Sequence, residues 1–149
     1  MADSLRKSFK QVDLNTWLIG DLILRHSNCH SDAATWNDDR DNSSYTLTDA
    51  PTPRPPATPL RPNDPHIALV YDASDSSAVW AIGAFCKLKL VVNGTTPEAT
   101  TLKFVRNKQP NFKTPEILHQ IEGDGRSYLF LRRVPGRTLM DAWPSLNEN

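Results

Sequence analysis

The chain has 149 residues with 17 basic and 17 acidic side chains, 38% hydrophobic residues, 12 prolines and a mean hydropathy of -0.50. This balance excludes an overall field that would draw the protein to nucleic acid or an acidic membrane. The early apolar run "WLIGDLIL", broken by Asp21, is too short for a secretory core or a membrane span.

Residues 1–27 read as a helical segment. Leu5, Phe9 and Val12 follow i, i+4, i+7 spacing, and Asn15 stands as an N-cap before "TWLIGDLIL". Residues 28–66 contain few apolar side chains, and seven of the fifteen residues from Pro51 to Pro65 are proline. Proline removes backbone donors and favours extended chain, so a disordered or semi-rigid linker is expected. Its proline spacing also admits an SH3-type ligand, although such spacing is common in linkers.

The pattern changes at Ile67. "IALVY" is a short strand, and "AVWAIGAFCKLKLVV" forms a hairpin about Gly83-Ala84. "TTPEATTLKFVRNK" opens a helix with Thr96 as N-cap, Pro97 at the first helical position and Glu98 in the first turn. Ala99, Leu102 and Val105 would form its buried stripe. A second hairpin turns about Gly123-Asp124-Gly125. Val134-Pro135-Gly136 then leads into a helix capped by Thr138 and stopped near Pro144.

Several short motifs carry little. "HSNCH" would place His26, Cys29 and His30 on one helix face with Asp32 nearby. Zinc sites in short motifs need a second Cys or His cluster, and none is visible, so a solvent-facing helix end is expected and no metal site. Cys29 and Cys86 form no disulfide framework, which points to a reducing, cytoplasmic compartment. The sequons at Asn42 and Asn93 would be idle there. Trp17, Trp36, Trp80 and Trp143 are not interleaved with basic residues as a nucleic-acid surface requires.

"AVWAIGAFCKLKLVV", "PEATTLKFV", "TPEILHQ" and "YLFLRRVPGRTLMDAW" resemble the aminoglycoside phosphotransferase and choline kinase-like superfamily, in its fungal branch. The likeness spans about residues 67–147, and the run from Tyr128 to Trp143 is its most specific part. It implies an α+β, kinase-like small lobe of five antiparallel strands and one helix at 67–149, behind the helical extension and the linker. It also implies ATP as cofactor. Adenine would pair with the main chain of a hinge at Arg132, Arg133 and Val134. A strand lysine, Lys87 or Lys89, would meet the phosphates and be held by Glu98. Ser74, Ser76 and Ser77 offer hydroxyls and N–H groups in the loop after the first strand, which lacks a glycine-rich fingerprint.

In such enzymes the catalytic aspartate and the magnesium ligands belong to a large lobe. No catalytic residue is therefore assigned, and magnesium is not supported. His30, Asp32 and Asn37 in "HSDAATWN" reproduce catalytic-loop spacing by coincidence, since they precede the lobe. The chain stops at Asn149, just past the hinge, and is expected to bind nucleotide weakly and to be inactive alone. It would meet a large lobe or associate with itself through the exposed lobe face. The alternative is a non-catalytic interaction module that keeps the lobe.

Overall fold

A period of two, not the helical period, governs the first third of the chain. In the computed structural model, which describes residues 4–73 and 75–146, Leu5–Lys7 form one 3-10 turn. Three strands follow, β1 (Phe9–Asp13), β2 (Thr16–Ile19) and β3 (Leu22–Ser27), each antiparallel to the next. The expected helical segment is thus a meander. Two tight turns decide it. Asn15 caps no helix; its N–H donates to Asp13 Oδ1 at 2.9 Å in the first turn. Gly20 takes φ 58° in the second, a conformation open to glycine at little cost.

The expected linker is also structured. β4 (Trp36–Asp38) and β5 (Ser43–Asp49) extend the sheet beside β3, and β6 (Thr58–Pro59) pairs with β1 at the opposite edge. Proline is tolerated there because an edge strand leaves one side unpaired. After β6 the buried Asp64 carboxylate accepts the N–H groups of His66 and Ile67 at 2.8 and 3.1 Å and pairs with Arg61. Proline content signalled extended chain; it did not preclude pairing.

The second sheet comprises β7 (Ala68–Ala73), β8 (Ser77–Ala81), β9 (Phe85–Leu90), β10 (Ile117–Gly123) and β11 (Arg126–Leu131), in the order β10-β11-β9-β8-β7. The helix α1 (Glu98–Asn107) joins β9 to β10, and a single-turn helix α2 (Leu139–Ala142) follows β11. The described residues are therefore mostly β, in sheets of six and five strands. That overturns the expected single five-stranded sheet with a helical extension and a disordered linker. Among the described residues, no helix is long and apolar enough to cross a membrane.

One core lies between the sheets. Phe9, Trp17, Ile19, Leu24, Trp36 and Tyr45 from the first meet Ala78, Trp80, Cys86, Leu88, Tyr128 and Phe130 from the second. Trp36 stacks on Tyr45 with centroids 5.6 Å apart, and its Nε1 donates to the Ile82 carbonyl at 3.0 Å. Gly83, in the turn between β8 and β9, has φ 72°, and a Cβ there would stand 2.5 Å from the Tyr45 ring. Only glycine meets both demands. On the outer face of the second sheet, Ala99 packs on Leu129 and Leu131, flanked by Leu102 and Ile117. Most of the expected helix stripe is therefore in place.

Candidate functional site

Strand alternation sets out the outer face of the second sheet. Ala78, Trp80, Cys86, Leu88, Tyr128 and Phe130 point into the core, so their neighbours Ser77, Val79, Lys87, Lys89, Ser127 and Leu129 point outward. Register then arranges them in rows across the strands. Val79, Lys87 and Leu129 make one row; Ser77, Lys89, Ser127 and Glu122 make the next.

Both lysines converge on α1. Lys87 Nζ is hydrogen-bonded to Glu98 Oε1, and Lys89 Nζ lies 2.9 Å from Glu98 Oε2. Glu98 is delivered there because α1 begins at that residue. Pro97 holds the N-cap position and Thr96 makes no cap hydrogen bond, one place later than the expected start. Burial alone would push the Glu98 carboxyl up; the two ammonium groups outweigh it and hold the group below the usual glutamate range. Two lysines share this one carboxylate directly, and the Glu122 carboxylate, in the same row as Lys89, brings the face to formal neutrality.

These groups border a cavity of about 310 Å³ lined by Lys87, Lys89, Thr96, Glu98, Glu122 and Ser127, among others. Hydroxyls and cations at its rim suit an anionic group. A larger cavity of about 690 Å³ lies between β1, β6 and β7, lined by Arg6 and Arg61, each paired with an aspartate, and by Lys7 and Lys10. The smaller cavity is the better candidate because both its lysines are drawn onto one helix glutamate, an arrangement the larger cavity lacks.

The remaining sequence-derived residues are distributed around this face. Ser77 is the cross-strand partner of Lys89. Ser76 builds the preceding turn: its hydroxyl donates to the Ala73 carbonyl at 2.8 Å, and its carbonyl accepts from Leu90 N–H at 3.1 Å. Ser74 lies outside the described residues. Arg132, Arg133 and Val134 follow the end of β11. The Arg132 N–H donates to the Glu116 carbonyl at 2.9 Å, and its side chain pairs with the Glu116 carboxylate at 2.6 Å. Arg133 lies over the Phe85 ring at 5.3 Å, and Val134 is exposed. Glu122 and Ser127 were missed in the sequence, although symmetry about the Asp124-Gly125 turn pairs them with each other.

The N-terminal motifs resolve differently from expectation. "HSNCH" lies on no helix. His26 is buried on β3, Cys29 is exposed beside the Ser27 hydroxyl, and His30 faces Asp39 at 3.3 Å. Asn37 closes the loop before β4 by bonding both backbone groups of Ser31 at 3.0 and 3.2 Å. Comparison with known proteins finds no family model, curated protein or solved structure that matches this chain.

Proposed function

We propose that the second sheet is a nucleotide-binding module of the phosphotransferase kind, working in the cytoplasm where ATP is available. The observation that carries this reading is the pairing of Lys87 and Lys89 with Glu98 beside a cavity of about 310 Å³. A strand lysine oriented by a helix glutamate is the arrangement by which kinase-like sites hold α- and β-phosphates. The second sheet also carries its one long helix between its third and fourth strands, as the resembled lobe does.

Phosphate would sit against Lys87 and Lys89, with Ser77 and Ser127 adding hydroxyls. The base would lie toward the end of β11. There the Arg132 N–H is occupied by Glu116, so the main chain of Arg133 and Val134 is left to pair with adenine. The function proposed is binding; transfer to a small-molecule hydroxyl would require a catalytic aspartate and metal ligands supplied from outside this face. The resemblance and the lysine–glutamate pair support the nucleotide; neither identifies an acceptor substrate.

The interaction-module reading draws on a separate observation. Leu139, Met140 and Trp143 around α2 are exposed together, as a docking patch would be. A nucleotide titration followed by amide NMR separates the two. Binding at about millimolar Kd, or roughly 4 kcal/mol, is expected, with shifts on Lys87, Lys89, Arg133 and Val134. Lys87→Ala should weaken ATP more than adenosine, because only ATP carries the charge the lysine meets. Equal weakening of both, or no binding by the unaltered chain, would discard the nucleotide reading in favour of the module.

A further inference from the structure

Among the described residues only two buried side-chain nitrogens or oxygens lack a hydrogen-bond partner, and one is Nε2 of His26. An orphaned polar atom in a protein interior carries a desolvation cost and calls for an explanation. His26 is 8% exposed and rigidly placed. Its main-chain N–H donates to the Asn15 carbonyl at 2.9 Å, and the Tyr45 ring meets it edge-on at 5.1 Å.

The other ring nitrogen fixes the tautomer. Nδ1 lies 3.3 Å from Asn15 Oδ1, an oxygen that can only accept, so Nδ1 bears the hydrogen. Nε2 is therefore left with a bare lone pair. A ligating histidine is commonly oriented in this way, with its second nitrogen donating to a neighbouring oxygen.

Two further potential ligands lie close to this ring. Asp41 sits in the turn between β4 and β5, and His66 in the segment leading to β7; one ligand atom from each and one from His26 all lie within 4.8 Å of one another. Both are held from behind. Asp41 Oδ1 accepts from the Ser43 N–H and hydroxyl, leaving Oδ2 for another partner. The His66 backbone is anchored on the buried Asp64 carboxylate. Nearby carboxylates are already matched, Asp38 with Arg40 and Asp64 with Arg61.

We propose that His26 Nε2, His66 and Asp41 form a binding site for a divalent transition cation of the zinc class. Two imidazoles and one carboxylate suit such an ion better than magnesium or calcium, which prefer oxygen alone. A tetrahedral ion with bonds of about 2.0–2.2 Å needs ligand atoms roughly 3.3 Å apart, so the three groups, within 4.8 Å of one another, must close by up to about 1.5 Å. The His66 ring, now stacked on His26 with centroids 3.7 Å apart at 26°, must also turn, because a lone pair lies in its own ring plane. His66 is half-buried and Asp41 exposed, so both can move while His26 stays fixed. The fourth position would open toward the adjoining cavity of about 180 Å³ that Asp41, Tyr45 and His66 help to line. The ion would tie β3, the β4–β5 turn and the approach to β7 together.

The test uses the full chain dialysed against EDTA and titrated calorimetrically with zinc chloride, with cobalt(II) absorption reporting the ligand set. One equivalent should bind, a tetrahedral cobalt spectrum should appear, and magnesium should give no heat. His66→Ala and Asp41→Asn alter accessible side chains and should fold, which circular dichroism would check; each should weaken zinc at least tenfold. His26→Gln should abolish the site. Unchanged affinity in His66→Ala and Asp41→Asn, or loss only on replacing His30 or Cys29, would move the ion elsewhere and overturn the assignment. No binding of zinc or cobalt would mean that His26 Nε2 is served by a buried water.

Discussion

The two faces of the second sheet belong to the same strands and obey different constraints. The inward residues Trp80, Cys86, Leu88, Tyr128 and Phe130 are chosen by shape, because they fill the space against the first sheet. The outward residues Ser77, Lys87, Lys89 and Ser127 are shaped by no such packing; two of them are cations gathered on one carboxylate. Position within a strand therefore separates packed residues from charged ones at a spacing of one residue. Lys87 is flanked by Cys86 and Leu88, both fully buried.

Substitutions should divide along the same line. The largest effect is expected for Phe130→Ala, which empties a fully buried ring from the shared core and should cost about 3–5 kcal/mol in urea unfolding. Because the core spans both sheets, a single transition is expected; separate transitions for the two sheets would break the comparison. Gly83→Ala should cost roughly 1–3 kcal/mol, from positive φ and from the contact its Cβ would make with Tyr45. A neutral Gly83→Ala would mean that the Tyr45 ring can yield.

The smallest effect concerns acid. Glu98 on the outer face and Asp38 in the first sheet both have carboxyls held below their ordinary values, Glu98 by its lysines against burial and Asp38 chiefly by hydrogen bonds from Arg40. A depressed carboxyl contributes stability fully above its unfolded value and loses it as pH falls through the folded one. The part of the urea stability that these two carboxylates contribute should hold from pH 7 to about 5 and decline below about 4.5. Glu98→Gln and Asp38→Asn should each flatten part of that decline. A decline unchanged in both variants would assign it to other carboxylates.

The C-terminal half was more legible in the sequence than the N-terminal half, for physical reasons. Asp124-Gly125 takes positive φ at both residues, the signature of a two-residue hairpin, and Pro97-Glu98 opens a helix whatever surrounds it. These are local signals. Leu5, Phe9 and Val12 matched a helical period by chance, and only contact with the second sheet makes Trp17, Ile19 and Leu24 a strand pattern. The proline-rich segment was misread for a related reason, since its order depends on Asp64 and on an edge of β1. The site followed the same rule. Lys87, Lys89 and Glu98 stand close in the sequence and on neighbouring elements, whereas His26, Asp41 and His66 come together only through the tertiary fold.

The two cysteines give the molecule an internal clock. Cys29 is exposed, while Cys86 is sealed beneath Lys87 with its thiol pushed far above the ordinary range by burial. A thiol reagent should therefore label Cys29 at once and reach Cys86 only when the sheets part. The slow phase would time that parting without any engineered cysteine, and the slowing of that phase by a bound ligand would report how firmly the ligand holds the halves together.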